Sequence, residues 1–405
     1  MEYRLGRRDV MLTAQTKDGK VYNLAGRKDI QYLHELKKKV LFYCPVCRER
    51  VNLKAGSQKI PHFSHQKSSK CTYISEPESI QHMLGKADLY FWLLNQGYKV
   101  HLERFLPKLN QRPDILVKRN GQWFAIEYQC SPISLKTLNS RTNGYETHHI
   151  KPIWIIGGYP FQNRKGGYFQ LNDFFWSFIQ ASETFGLTLL SYTPQAQQFH
   201  FLSNISPISS RKVKGTYTNT SLGKVSFPIV FSNPFRPKHK VDAYWFLQKR
   251  KWLLQKLVYG KAFQDPFLLS VYECYCHPLF LPPAIGLPVD YMGVCKTHPV
   301  VWQFYIWRDC LRFLRIGERI TFTQVIDAIE TRKKYHYIQF RDLPFVHHSY
   351  QNRMIFLYLQ MLVHSTYLKE VKKGTFVLNK TITIPKNMEE VNLYEKEFLQ
   401  KYGDF

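Results

Sequence analysis

Residues 112–129 read RPDILVKRNGQWFAIEYQ, and this stretch decides the fold. Two apolar runs flank an Asn-Gly pair, which favours a two-residue β-hairpin turn, so the stretch predicts two antiparallel strands. Asp114 opens the first strand, and Glu127 and Gln129 close the second. Residues two apart in a strand point to the same side, so Glu127 and Gln129 face together. The hairpin returns the chain and brings Asp114 beside them.

Two carboxylates and a third polar group at neighbouring strand ends suit a hard divalent cation. Mg²⁺ takes few carboxylates and completes its shell with water and substrate phosphate. Such an ion activates water for attack on phosphorus. A simpler interpretation makes Asp114 a turn residue and Glu127 an exposed strand charge. Glu127 argues against it, because it follows the apolar run Trp123–Ile126, where a carboxylate needs a partner or a metal.

The elements around this hairpin predict an α/β core with a mixed sheet. A helix is predicted from Ser75 to Gln96, because Ser75 begins a capping pattern and Gly97 ends the helical spacing. The other predicted elements are a strand over Lys99–Phe105, a helix over Ser134–His148 and a strand over Pro152–Ile156. Helices alternating with strands in this way are typical of an α/β unit.

Three side chains suited to phosphodiester chemistry share one face of the first predicted helix. Glu78, His82 and Lys86 recur every four residues. Glu78 would add a carboxylate to the metal, and His82 or Lys86 would contact phosphate. Glu103, in the strand before the hairpin, is a further acidic candidate.

Three more side chains near the hairpin are candidate DNA contacts. Arg112 lies two residues before Asp114, and Arg141 and Tyr145 lie four residues apart on the second predicted helix. Arg141 and Tyr145 either hold a DNA phosphate or orient Glu127.

The eight cysteines do not form the pattern of a disulfide framework, because most fall into two clusters with histidine nearby. Cys44 and Cys47 have the spacing of a metal-binding knuckle. We expect Cys44, Cys47, His65 and Cys71 to hold a structural Zn²⁺ ion, with His62 as the alternate ligand. The other interpretation is a pair of free thiols near surface histidines.

The second cluster contains Cys274, Cys276, His277, Cys295 and His298. Cys295 and His298 have ligand spacing, whereas Cys274 and Cys276 do not fit a knuckle. We interpret this cluster as core or loop residues.

The formal net charge of +27 favours binding to polyanions, although a solvated basic surface would have the same composition. From Asp242 onward the sequence predicts basic helices, and helices followed by a basic hairpin at 367–378 are compatible with a winged-helix arrangement. No apolar segment follows the charged residues 1–9, and no run of 18 apolar residues is present. We therefore expect a cytoplasmic protein without membrane insertion.

The composition predicts four segments along the chain. They are an N-terminal module over 1–74, an α/β domain over 75–203, a linker or long surface loop over 204–240 and a mostly helical basic domain over 241–405. The linker is predicted because residues 204–240 are rich in Ser, Pro, Lys and Thr.

The sequence resembles the PD-(D/E)xK nuclease superfamily and, more closely, is similar to the competence protein CoiA family. The resemblance rests on Cys44-Pro45-Val46-Cys47, His62-Phe63-Ser64-His65, Glu78-Ser79, His82, Lys86, Arg112-Pro113-Asp114, Glu127-Tyr128-Gln129-Cys130-Ser131, Ile133-Ser134, Arg141, Tyr145 and Trp154-Ile155-Ile156-Gly157. It covers residues 44–158 and is looser beyond, at His298-Pro299 and Trp302-Gln303.

This resemblance implies a restriction-endonuclease-like PD-(D/E)xK core, preceded by a zinc-ribbon-like module and followed by a mostly helical basic domain. It implies a Mg²⁺- or Mn²⁺-dependent deoxyribonuclease that processes internalised single-stranded or branched DNA during natural transformation. Asp114 and Glu127 would be the metal ligands, Glu78 would assist, and Gln129 would position the attacking water.

One position departs from the superfamily pattern. Gln129 stands where the superfamily usually has lysine, and glutamine acts neither as an acid nor as a base. Two alternatives stay open, the first of them because of Gln129. One is a non-catalytic DNA-binding adaptor that contacts a recombinase, and the other is an enzyme that acts on RNA.

Overall fold

The computed structural model describes residues 10–56, 60–66, 69, 71, 79–159, 161, 166–209, 211–229, 241–260 and 264–403. The described residues form two compact units. The first unit lies within residues 1–160, 190–201 and 218–232, and the second within residues 161–189, 202–217 and 233–405.

The first unit begins with a six-stranded antiparallel sheet and one helix. The strands are β1 (Val10–Met11), β2 (Thr13–Gln15), β3 (Val21–Asn23), β4 (Phe42–Tyr43), β5 (Arg50–Lys54) and β6 (His62–His65), in the order β1-β6-β5-β4-β2-β3. Helix α1 (Ile30–Lys39) begins after Asp29, whose side chain accepts the Tyr32 N–H. Phe42, Val51 and Phe63 are among the buried residues of this small core.

A mixed sheet between two helices follows in the first unit. Its elements are α2 (Ile80–Asn95), β7 (Lys99–Leu102), β8 (Ile115–Arg119), β9 (Gln122–Gln129), α3 (Leu135–Glu146) and β10 (Ile150–Gly157). Strands β7, β8 and β9 are antiparallel neighbours, whereas β10 runs parallel to β9. The predicted mixed α/β core is therefore confirmed.

Alternate residues of β9 face the two helices. Ile126 and Tyr128 belong to the core under α2, whereas Ala125 packs with Tyr145 of α3 on the opposite face. At the β8–β9 turn Asn120 and its glycine neighbour both have positive φ, as a two-residue hairpin of this kind requires.

The middle of the chain continues with short helices and strands that contribute to both units. These elements are β11 (Tyr168–Gln170), α4 (Asp173–Trp176), β12 (Gln180–Ser182), β13 (Gly186–Thr193), β14 (Gln198–Pro207) and β15 (Lys212–Ser221). In the first unit β13 pairs in parallel with β10, through Ile156 with Ser191 and Gly157 with Tyr192.

Two sequence predictions are corrected by these elements. The helix predicted from Ser75 begins only at Ile80, because Ser79 has extended backbone angles and is its cap. The linker predicted over 204–240 is wrong for its first half, which contains the end of β14 and all of β15. The polar Thr and Lys residues of β15 hid its strand character, and residues 230–240 lie outside the described part of the chain.

The second unit is mostly helical, as predicted. Its remaining elements are α5 (Ala243–Tyr259), α6 (Pro266–Glu273), α7 (Pro299–Ile306), β16 (Arg319–Thr321), α8 (Phe322–Lys334), α9 (Ser349–His364), β17 (Leu368–Lys372), β18 (Thr375–Leu378) and α10 (Met388–Tyr402). Strands β16, β18 and β17 form a separate antiparallel sheet in that order. Within the described ranges, no helix combines the length and apolar character that a membrane span needs.

Candidate functional site

Helix α2 directs two side chains at Asp114. The Ser79 hydroxyl accepts the His82 N–H and caps the helix. His82 Nε2 lies 3.3 Å from Asp114 Oδ2, and Lys86 Nζ lies 3.7 Å from Asp114 Oδ1. The Tyr128 N–H donates to Asp114 Oδ2 at 2.9 Å. Burial by itself would raise the pKa of Asp114, but His82, Lys86 and this hydrogen bond outweigh it, so the pKa lies well below its usual value.

Lys86 is a buried, ion-paired side chain. Its Nζ lies 2.5 Å from Glu103 Oε1, and neither side chain is more than 1% exposed. The Glu103 carboxylate also accepts the Leu12 N–H, the Thr13 N–H and the Thr13 hydroxyl, at 2.9–3.1 Å. Glu103 has a φ of 50°, in the left-handed region that residues with a large side chain seldom adopt. Its surroundings therefore hold both the side chain and an unfavourable backbone conformation.

Gly85 permits the close approach of α2 to β9. A Cβ at position 85 would lie 2.1 Å from Tyr128 Cε1. The Tyr128 hydroxyl donates to Tyr192 O at 3.0 Å, and the Tyr192 hydroxyl donates to Asp88 Oδ2 at 2.9 Å. The Tyr128 ring is thus held in place between α2 and β13. The lack of a side chain at position 85 sets the distance between the helix and the strand ends.

Helix α3 holds the second carboxylate, that of Glu127. Arg141 Nη2 lies 2.5 Å from Glu127 Oε1, and the Tyr145 hydroxyl donates to the same oxygen. The Arg141 guanidinium also lies over the Trp154 ring, 5.4 Å from its centroid. Burial raises the pKa of Glu127, Arg141 offsets this only in part, and the charge of Asp114 adds to the rise.

Gln129 lies at the end of β9, two residues beyond Glu127. Its side chain is buried, and Nε2 donates to Ser131 O at 2.7 Å. Parallel pairing with β10 places Glu127 opposite Trp154 and Gln129 opposite Ile156. The amide is therefore held at the end of β9, and strand alternation places it on the same face as Glu127.

Asp114 and Glu127 lie at the ends of adjacent strands, and their pKa values shift in opposite directions. Opposed shifts of neighbouring carboxylates are frequent at functional sites. Among the described residues, neither belongs to a group of three His, Cys, Asp or Glu ligand atoms within 4.8 Å of one another. A metal ion bound here would complete its shell with water and phosphate, as Mg²⁺ does. The third predicted carboxylate, Glu78, lies outside the described residues.

Four side chains of the N-terminal sheet region form a separate metal-ligand group. The ligand atoms of Cys44, Cys47, His65 and Cys71 all lie within 4.8 Å of one another. Cys47 Sγ and His65 Nε2 are 3.3 Å apart. Burial would raise the pKa of the Cys44 thiol, but His65 and backbone N–H groups of the knuckle outweigh it and lower the pKa to about 7. These four side chains could hold a metal ion such as Zn²⁺.

The alternate zinc ligand, His62, is not part of this group. Its Nδ1 lies 2.8 Å from Ile60 O. Strand β6 contains both histidines, and His65 at its end is the one that joins the cysteines.

Comparisons with known proteins cover most of the chain. The N-terminal domain of competence protein CoiA matches residues 25–74, its nuclease-like domain residues 78–234 and its C-terminal domain residues 241–391. Competence protein CoiA of Bacillus subtilis (strain 168) is 30% identical over 384 residues, which are 89% of this chain and 94% of the relative. The chain belongs to the CoiA family of competence proteins. No solved structure matches it significantly.

The CoiA family models place the two candidate sites in different segments. The nuclease-like domain model includes Asp114, Glu127 and Gln129, with the helices that hold them. The N-terminal domain model includes the four-residue Cys/His group. A nuclease-like domain and a Cys/His metal-ligand group therefore occur together in this CoiA chain.

Burial bears on three predicted DNA contacts, and for Tyr145 it favours the second predicted role, the orientation of Glu127. Lys86 and Tyr145 have 0% of their surface exposed and Arg112 has 6%. Lys86 and Tyr145 are occupied by the carboxylates described above, and Arg112 Nη1 lies 3.9 Å from Met11 Sδ. Lys86 and Tyr145 therefore hold the carboxylates of the site from within, because a fully buried group does not reach a phosphate. His82 and Arg141 keep partly exposed side chains and remain predicted DNA contacts.

The second cysteine cluster lies in the second unit. Cys274, Cys276 and Cys295 are buried. The His298 ring stacks on Trp252 with centroids 3.9 Å apart. Its Nδ1 accepts the Val300 N–H at the start of α7. In the described residues these side chains do not form a compact metal-ligand group.

Proposed function

We propose that this CoiA-family protein is a metal-dependent deoxyribonuclease that acts on internalised DNA or recombination intermediates during competence. The observation that carries the proposal is the pair Asp114 and Glu127. The two carboxylates end adjacent strands, are held by two different helices and have opposed pKa shifts, within the segment that matches a nuclease-like domain. The net charge of +27 suits a nucleic-acid substrate.

The donor set at this site fits Mg²⁺ or Mn²⁺, both of which prefer oxygen ligands. Asp114 and Glu127 would hold the ion, with Glu78 as a further carboxylate. Bound there, the metal would supply an activated water and charge stabilisation at the phosphate. Arg141 and Tyr145 fix the orientation of Glu127, and Lys86 fixes that of Asp114.

Gln129 would position the attacking water. Its Nε2 donates to Ser131 O, which holds the amide plane at the end of β9. An amide oxygen can accept a hydrogen bond from water but takes no proton. The proton would therefore pass to solvent or to the phosphate substrate.

The Cys/His group would hold a structural Zn²⁺ ion. Three thiolates and one imidazole form a closed tetrahedral set, which stabilises small domains with little core. We propose that the three cysteines stay reduced in the cytoplasm, where clustered cysteines bind metal ions more often than they form disulfides. Metal analysis of the purified protein should give one zinc per chain. A Cys44→Ser variant should lose it, and a Cys310→Ser variant should keep it.

Cleavage assays test the nuclease proposal directly. Labelled single-stranded, duplex and branched DNA, with a single-stranded RNA as a fourth substrate, are incubated with Mg²⁺ or Mn²⁺. Wild type should cut one of the DNA substrates, with a preference for single-stranded or branched DNA. Asp114→Asn and Glu127→Gln should bind the DNA without cutting it, whereas the surface control Asp173→Asn should cut normally. Cleavage of RNA alone, or none with either metal, would refute the proposal.

A second candidate is a DNA-binding adaptor that promotes recombination by contacting a recombinase. Gln129 favours it, because the position usually occupied by lysine has no charged side chain, and its amide is bonded to the backbone. The variant Gln129→Lys discriminates between the two functions. If the protein is a nuclease, Gln129→Lys should cut DNA as well as wild type or better. If the protein is an adaptor, the variant should cut no DNA.

A further inference from the structure

Residues 299–378 of the second unit have a recognisable topology. Helix α7, strand β16, helices α8 and α9, and the β17–β18 hairpin follow one another along the chain. The hairpin and β16 form an antiparallel sheet in which β18 is central. Phe356 of α9 packs against Phe322 of α8 and Phe376 of β18, with ring centroids 5.4 Å and 6.2 Å apart. A helix, a strand, two helices and a hairpin joined in this way form a winged helix, with β17–β18 as the wing.

The wing carries exposed positive charge. Lys369, Lys372 and Lys373 are all exposed. Within the described part of the chain, no carboxylate lies at salt-bridge distance from any of them. The one acidic residue of the hairpin, Glu370, accepts Gln360 Nε2 at 2.7 Å and the Gly374 N–H at 2.8 Å. The wing therefore keeps its own carboxylate occupied and leaves its lysines exposed to solvent.

The positive charge extends across the sheet. Arg319 of β16 and Lys369 of β17 both pair with Val377 of the central strand, so they lie in one cross-strand row. Both are exposed, whereas Ile320 and Phe376 on the opposite face are buried. The open face of the sheet thus continues the basic surface of the wing.

The wing turn adjoins the start of α8. The Phe322 N–H, at the first residue of α8, donates to Gly374 O at 2.8 Å. The last turn of α8 contains Lys333 and Lys334, about 18 Å further along the helix axis at 1.5 Å per residue. Two pairs of adjacent exposed lysines, at 372–373 and 333–334, therefore lie near opposite ends of one helix.

We propose that this winged helix is a second nucleic-acid site, which binds duplex DNA. Helix α9 would enter the major groove with its exposed face, which includes Ser349 and Asn352, as the last helix of such motifs does. The wing lysines and Arg319 would contact the phosphates on either side, since lysine side chains neutralise backbone charge. The site lies outside the Asp114–Glu127 pair and needs no metal, so it is independent of cleavage.

Equilibrium binding to a labelled 20-base-pair duplex tests this site. Every protein in the assay carries Asp114→Asn, and a chelator is present, so that the duplex is not cut. Binding is measured over a range of salt concentrations. Lys372→Ala/Lys373→Ala should weaken binding at least fivefold and reduce the slope of log K against log salt by about 2, one for each phosphate contact. The control is Lys333→Ala/Lys334→Ala, which removes the same formal charge from the other end of α8, where Lys333 pairs with Glu330 at 3.1 Å. It should change neither quantity.

Asn352→Asp provides a second test, because it places a carboxylate on the exposed face of α9. It should also weaken duplex binding. Equal losses in the wing variant and the control would show a general electrostatic field and would overturn the proposal. Unchanged duplex binding by the wing variant, or a loss confined to single-stranded DNA, would overturn it as well. Thermal unfolding confirms that each variant is folded.

Discussion

Lys86 Nζ lies 2.5 Å from Glu103 Oε1 and 3.7 Å from Asp114 Oδ1, so one buried ammonium group joins two carboxylates. Glu103 is its main partner and is itself held by the backbone of β2 and the residue before it. The candidate metal ligand Asp114 thus depends on a chain of polar contacts that begins in the N-terminal sheet. The arrangement ties the stability of the fold to the orientation of the site.

Replacing Lys86 should destabilise the first unit strongly. In Lys86→Met the Glu103 carboxylate stays buried without its closest cation, although the charge of Arg112 still acts on it. Loss of one member of a buried pair costs about 3–5 kcal/mol, and the remaining arginine places the expected loss at the lower end. Urea unfolding measures the loss. The control Lys38→Met removes an exposed lysine that pairs with Glu35, and it should cost less than about 1 kcal/mol. Similar values for the two variants would contradict the proposed role of the buried pair.

Adding one methyl group at Gly85 should separate α2 from β9. In Gly85→Ala the new Cβ collides with the Tyr128 ring, which its hydroxyl fixes to the backbone of β13. Such overpacking costs about 1–3 kcal/mol. Gly223→Ala is the matched control, because a Cβ there meets nothing within 4 Å. Thermal unfolding of both variants decides the point, and equal melting temperatures would argue against close packing at position 85.

Tyr145→Phe should shift the pH dependence of cleavage, if the proposed nuclease activity is present. The hydroxyl donates to Glu127 and lowers the pKa of that carboxyl, which burial raises. Without the hydroxyl the pKa of Glu127 rises further. The acid limb of the cleavage profile, where Glu127 becomes protonated, should then move to higher pH.

The expected loss on this acid limb is about tenfold at fixed pH, which corresponds to one charge-assisted hydrogen bond of about 1.4 kcal/mol. Tyr259→Phe changes a highly exposed hydroxyl and should leave the profile in place. A uniform loss of cleavage at every pH would mean that Tyr145 does not act through the ionisation of Glu127.

Because of the buried Lys249, the second unit should be more stable at alkaline pH than at neutral pH. Burial lowers the pKa of Lys249 from 10.5 to about 7, although Glu395 opposes the shift. Between about pH 7 and 10.5 the unfolded chain therefore binds more protons than the folded one, and stability rises with pH in this window. Below about pH 7 Lys249 is protonated in both the folded and the unfolded chain, and its effect on the free energy of unfolding no longer changes with pH.

The comparison with Lys249→Met isolates this effect from the overall charge of the chain. The stability of the variant should no longer rise with pH in this window. The variant should also be less stable than wild type at every pH, because the carbonyls of Leu281 and Pro282 lose their hydrogen-bond donor. Melting temperatures from pH 6 to 10.5 provide the measurement. Lys251→Met, an exposed neighbour on α5, should parallel wild type. If Lys249→Met does so too, the buried amine does not titrate as described.

Local patterns predicted the parts of the site that depend on spacing alone. The Asn-Gly turn and the alternation along β9 are properties of a few consecutive residues, and the structure confirms both. The group of Cys44, Cys47, His65 and Cys71 also follows the spacing of its ligands. Helical spacing placed His82 and Lys86 on one face of α2, and both do contact Asp114.

The remaining features depend on contacts between distant parts of the chain. Lys86 was expected to face DNA, because nothing in its own helix shows that Glu103 lies against it. The backbone N–H groups of Leu12 and Thr13 hold that carboxylate, and a backbone donor leaves no mark in a sequence. Strand β15 was missed for a different reason, since polar strand residues have the same composition as a loop.

The bonds from Leu12 and Thr13 to Glu103 also determine how this chain can be divided. The family models place a domain boundary between residues 74 and 78, which suggests that the cysteine-bearing segment is an independent domain. A fragment that begins at the second segment would lack Leu12 and Thr13, and the buried Glu103 carboxylate would lose two backbone N–H donors and one hydroxyl donor. The N-terminal strands are therefore part of the frame that keeps the second segment folded. Recombinant fragments and chimaeras should carry both segments from the same parent.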